Sequence, residues 1–65
     1  MSLPILLTVG DTARLLSVSE KTVRRMYRSG ELAYVRIGRS GRYIRISSDD
    51  VHEWLRSRRC RTSRN

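Results

Sequence analysis

The chain has 65 residues and a net charge of +8, from fourteen Lys and Arg against six Asp and Glu. A chain of this size buries only about 60% of its unfolded surface, which leaves little framework for a deep catalytic cleft and points to one small binding module. One cysteine excludes an internal disulfide, and one cysteine with one histidine cannot close a structural zinc site. No apolar run is long enough to span a bilayer or to act as a secretory signal, which fits a reducing cytosol.

Met1 to Leu7 reads as a short lead-in containing Pro4, with Ile5, Leu6 and Leu7 packing as an extended arm. Thr8 then caps a first helix, with Asp11 three residues on as its capping-box partner. Val9, Thr12, Ala13 and Leu16 recur at helical spacing, Leu15 adds to the apolar face, and the helix ends near Leu16. Ser17 and Val18 form a turn. Ser19 caps a second helix that runs to Ser29 and stops at Gly30. Val18 is placed to staple onto Val23 across this cap. Along the second helix Val23, Met26 and Tyr27 share one side, Lys21, Arg25 and Arg28 centre on the other, and Thr22 and Arg24 flank them. So short a helix is marginal alone, so its apolar edge must be packed.

After Gly30 the period changes from helical to alternating. Leu32–Ile37 and Arg42–Ile46 read as two strands joined by Gly38-Arg39-Ser40-Gly41, a hairpin with a small, cationic tip. Ser47 caps a third helix with Asp50 as its capping-box partner and Ile46 stapled onto Val51. Ser48, Asp49 and Asp50 lie at the positive end of its dipole, Val51, Trp54 and Leu55 make its apolar edge, and it runs to about Arg59. The predicted organisation is therefore a domain over residues 1–59 and a flexible basic tail over 60–65. Five arginines and no acid follow from Arg56 onward.

Two helices about a short turn, a basic hairpin and a third helix predict an α+β fold: a small winged helix-turn-helix with a two-stranded antiparallel wing between helices 2 and 3. The residues that carry a closer resemblance are Leu7-Thr8-Val9 with Ala13 and Leu16, then Val18-Ser19-Glu20-Lys21-Thr22-Val23-Arg24-Arg25. They continue with Ser29-Gly30-Glu31-Leu32, Val35-Arg36-Ile37-Gly38, Tyr43-Ile44-Arg45-Ile46 and Ser47-Ser48-Asp49-Asp50-Val51 before Trp54-Leu55. In this order and spacing the chain resembles the excisionase-type DNA-binding family, related to MerR-like regulators, over roughly residues 6–56. One departure is Ser17, where such units usually place Gly to relieve a left-handed backbone; serine tolerates that conformation less well, at a cost of about 1 kcal/mol.

The resemblance implies that the second helix enters the major groove of double-stranded DNA and that the wing contacts the neighbouring minor groove or backbone. The DNA-binding candidates on the helix are Ser19, Lys21, Thr22, Arg24, Arg25 and Arg28; those on the wing are Arg36, Arg39, Ser40, Arg42 and Arg45. Composition points the same way. Thirteen of the fourteen cations are Arg, whose planar fork pairs bidentately with phosphate or with guanine, so nucleic acid is preferred over anionic membrane as the polyanion partner. Charge kept for solubility alone expects acids and bases to be mixed along the chain, and here they are segregated. Tyr34, Tyr43 and Trp54 are expected to pack in the core, His52 to be solvated and Cys60 to be an unpaired thiol. The tail is open to three readings: electrostatic glue, a DNA-tracking extension, or a docking site for a protein.

No nucleophile–base pair or carboxylate pair suggests catalysis, so no enzyme activity, cofactor, metal or small-molecule ligand is expected. The resemblance implies a phage or mobile-element recombination directionality factor. Such a protein binds repeated sites cooperatively with further copies of itself, bends DNA and helps an integrase to excise the element. It would work in the bacterial host cytoplasm, associated with the nucleoid. The alternative is a small transcription regulator of the MerR-like type; such regulators normally continue into a long dimerising helix, which is not expected here. A membrane-surface peptide would need one long amphipathic basic helix rather than three short ones.

Overall fold

Thr8 sets the first boundary, and the computed structural model, which describes residues 3–60, shows how. The Thr8 backbone is extended and its Oγ1 accepts the Asp11 amide at 2.9 Å, which starts helix α1 over Val9–Leu16. The helix closes at Ser17, which takes the left-handed conformation (φ 58°, ψ 43°). Its amide donates to Arg14 O, and that of Val18 to Ala13 O at 2.9 Å. Only two further residues separate this turn from helix α2, Glu20–Arg28, whose cap Ser19 accepts the Thr22 amide at 3.1 Å. Val18 remains 39% exposed beside this cap.

Gly30, at φ 85°, turns the chain after α2 in a conformation that side chains resist. The amides of Glu31 and Leu32 both donate back to Met26 O, and the reversal drops Leu32 into the core with 1% of its surface exposed. Leu32 is thus a core anchor and not a strand residue. The wing strands are shorter than the alternating pattern predicts on the first side: β2 covers Val35–Ile37 and β3 covers Tyr43–Ser47. They pair antiparallel with Val35 opposite Arg45, Arg36 opposite Ile44 and Ile37 opposite Tyr43.

The predicted N-terminal arm forms a strand. Leu6 and Leu7 form β1, the first strand in the chain, which pairs antiparallel with β3 opposite Ser47 and Ile46. The sheet therefore has three strands, with β3 at its centre. The link is extended by Ser48, whose amide donates to Ile5 O at 2.8 Å and whose Oγ accepts the Ile5 amide at 3.0 Å. Helix α3 follows without a loop, over Ser48–Ser57. Ser47 caps it by accepting the Asp49 amide at 3.1 Å, so the predicted Asp50 partnership shifts by one residue. The helix stops two residues before the predicted Arg59, at the Arg58 cap. Arg58 donates its amide to Trp54 O and Leu55 O.

Ala13, Val23, Met26, Leu32, Ile46 and Val51 are the buried core, with Leu7, Val9, Leu16, Tyr27, Tyr34 and Trp54 packed around it. Each buried Val, Leu or Ile side chain contributes about 1.5–3 kcal/mol. The one buried polar residue in the described part is Thr12, whose hydroxyl donates to Thr8 O at 2.9 Å. Of the predicted tail, Cys60 is exposed as a free thiol, and residues 61–65 lie outside the described part.

Candidate nucleic-acid interface

Burying Val23 and Met26 fixes which side of α2 meets solvent. On that free side Lys21, Thr22, Arg24, Arg25 and Arg28 line one shallow concavity together with Ser29. Five of the six predicted helix candidates are therefore together. The sixth, Ser19, is outside the concavity and is occupied by capping: its Oγ accepts the Thr22 amide and lies 2.9 Å from the Thr22 hydroxyl. Ser19 thereby orients Thr22.

The cations of this face are not equivalent. Arg24 is held by Glu20 one turn back, Nη2 to Oε1 at 3.1 Å. Among the described residues Lys21, Arg25 and Arg28 make no ion pair. They are open to phosphate oxygens, which fix register, or to base edges, which carry sequence. Arg25 and Arg28 also lie in the last turn of α2, where their charge is favourable to the helix dipole.

The wing joins this helix through a tilted aromatic pair. The Tyr27 ring of α2 lies 4.9 Å from that of Tyr34 at the foot of the wing, and the Arg36 guanidinium sits 6.0 Å from the Tyr34 ring centre. Tyr34 packs against the core as predicted. Tyr43 does not, being 51% exposed. It pairs with Ile37 beyond the core, covers Gly38, and has the guanidinium groups of Arg42 and Arg45 each 5.9 Å from its ring centre. A Cβ on Gly38 would come within 2.7 Å of the Tyr43 ring, and at φ 93° a side chain is resisted anyway.

The five wing candidates do not share one face. Paired residues lie on the same side of a sheet, so Arg36 goes with Ile44 and Ile46 on the core-facing side and Arg45 goes with Val35 and Tyr43 on the other. Arg45 also donates to Ile44 O at 2.8 Å and is half-buried. Arg39 and Ser40 are exposed at the tip.

Two groups that sequence reasoning did not single out support the site. Glu20 carries the readable signal of an acid four residues before Arg24. Glu31 carries none. Its Oε2 accepts from Trp54 Nε1 at 3.1 Å and from Arg58 Nη2 at 2.7 Å, across 23 and 27 residues of sequence. Trp54 is accordingly only half-buried, with Arg58 over its ring at 5.5 Å. This cluster ties the exit of α2 to the end of α3.

Residues 6–59 match the family model described as "Helix-turn-helix domain", which takes in every element of the fold. Two Mycobacterium tuberculosis proteins, one from each of two strains and each named "Putative DNA-binding protein", are 46% identical to the chain over 50 residues. The matched stretch is 77% of this chain and 60% of each relative, so the chain spans less than two thirds of the length of these curated relatives. No solved structure matches.

Proposed function

The chain belongs to the helix-turn-helix domain family, and from that premise we propose that it is a sequence-specific double-stranded DNA-binding protein that acts as an excisionase-like recombination directionality factor. The observation that carries the DNA-binding part is the concavity on α2, where Lys21, Thr22, Arg24, Arg25 and Arg28 lie together on the face left free by core packing. Arg or Lys on such a face pairs with guanine O6 and N7, and Thr with a thymine methyl or a phosphate. The wing adds Arg39 at its tip and Arg42 beside Tyr43, suited to backbone or minor-groove contact. The names of the two mycobacterial relatives support the same partner.

The recombination role rests on resemblance and on size. A nine-residue reading helix touches few base pairs, so useful specificity requires several copies on neighbouring sites. Bending a site costs on the order of 1–6 kcal/mol, which cooperating molecules can supply together. The role is architectural and not enzymatic, exercised on the nucleoid with an integrase as partner. Among the described residues no helix is long and apolar enough to cross a membrane.

The test is integrase-dependent excision in vitro with and without the protein, joined to footprinting of the DNA that flanks its own gene. Stimulated excision with cooperative protection of adjacent sites supports the proposal. Isolated, non-cooperative occupancy refutes the architectural role. Unchanged excision with altered promoter output instead identifies a transcription regulator.

A further inference from the structure

Among the described residues, Arg24 is the one cation of the α2 concavity that an acid holds in place, and the acid is itself seated against another helix. Glu20 Oε1 takes Arg24 Nη2 at 3.1 Å. The other oxygen, Oε2, lies over Gly10 in the first turn of α1: a Cβ built on Gly10 would stand 3.2 Å from it and 3.9 Å from Thr8 Oγ1. Gly10 is an ordinary helical residue, so its missing side chain is not required by the backbone. What its bareness provides is room for the Glu20 carboxylate. An exposed pair at this helical spacing adds little stability, so its effect is on geometry.

We infer that Glu20 is a positioning residue that makes Arg24 the base-reading arginine of the site, with Gly10 as the seat that fixes Glu20. This rests on the DNA-binding reading of α2. A guanidinium has five N–H donors in a rigid fork. One edge is given to Glu20, and the rest stays free and oriented for guanine O6 and N7. The carboxylate also repels phosphate, so it discourages Arg24 from relaxing onto the backbone. Lys21, Arg25 and Arg28 have no such tether among the described residues and serve the backbone more evenly.

The experiment is selection of binding sites from a randomised duplex library, followed by affinity measurements on the selected duplex and on single-base variants of it at fixed salt. The guanine whose preference disappears in Arg24→Ala is the one read by Arg24. At that position wild type should prefer guanine about tenfold, the scale of one bidentate contact. Glu20→Ala should cut the preference to about two- to threefold while binding random duplex more tightly, and Glu20→Gln, which keeps an acceptor oxygen, should restore the larger part. Gly10→Ala changes no charge, so it should lower the same preference while leaving the salt dependence unchanged. Melting curves read by far-ultraviolet circular dichroism establish that each variant is folded. Retention of the guanine preference in Glu20→Ala, or no loss of any guanine preference in Arg24→Ala, overturns the assignment alone. A wild-type selection that enriches no sequence overturns both the assignment and the sequence-specific reading beneath it.

Discussion

Replacing Glu31 by Ala should loosen the whole module, because one carboxylate oxygen joins two elements that sequence keeps far apart. Its Oε2 accepts from Trp54 Nε1 at 3.1 Å and from Arg58 Nη2 at 2.7 Å. Each such bond contributes about 0.5–1.5 kcal/mol net. The Arg58–Glu31 pair has side chains 54% and 33% exposed, so it belongs at the lower end of that range. The expected loss is about 1–2 kcal/mol in all, which for a domain of this size lowers Tm by roughly 5–15 °C. Trp54 is the single tryptophan of the chain, so its fluorescence during thermal unfolding reads the contact directly. A double-mutant cycle with Arg58→Ala should return a coupling of about 0.5 kcal/mol for the ion pair. A Glu31→Ala melt within about 2 °C of wild type would refute the reasoning, since the cluster would then be an exposed contact with no net contribution.

Ser17→Gly should raise stability by about 0.5 kcal/mol in urea denaturation: it relieves a left-handed backbone at φ 58°, less the freedom that Gly adds to the unfolded chain; a lower midpoint would contradict this. Gly38→Ala should cost at least about 1 kcal/mol, because it combines φ 93° with a Cβ that meets the Tyr43 ring. Asp11 has its carboxyl held below the usual carboxylate range by the hydroxyl of Thr8 first, then the Thr8 backbone, with Arg14 adding to this. A lowered folded pKa means stability that is present above the usual carboxylate range and lost as pH falls through the folded value. The Tm gap between wild type and Asp11→Asn should therefore be full at neutral pH and close in acid; a gap independent of pH would count against it. On DNA, neutralising about five phosphates gives a log–log salt slope near −4 to −5. Arg24→Ala should weaken selected duplex more than random duplex. Arg39→Ala should weaken the two alike, and equal losses for both variants would remove the division between helix and wing.

The local pieces were legible because their causes are local. Thr8, Ser19 and Ser47 start helices through hydrogen bonds that span two or three residues, and Gly30 ends one through its own backbone freedom. The basic face of α2 was legible for the same reason: a helix repeats every 3.6 residues, so the positions of Val23 and Met26 settle where the cations point. Ser17 was even readable as an exception, and it does take the left-handed turn. Leu32 was harder. An alternating pattern beside a glycine reads as strand, whereas the chain reverses there to bury it. Tyr43 misled in the other direction, since an aromatic in a strand is core only where the sheet has core beneath it.

What the sequence determined by itself is the set of helices, their caps and the segregation of charge, all of which follow from period and from short-range hydrogen bonds. The tertiary structure alone decided which groups meet across the chain. It paired Leu6 and Leu7 with β3, closed Glu31 onto Trp54 and Arg58, placed Glu20 over Gly10, and put the wing arginines on two faces. Such contacts depend on how the packed core orients α1, α2 and α3, and no local rule encodes that orientation.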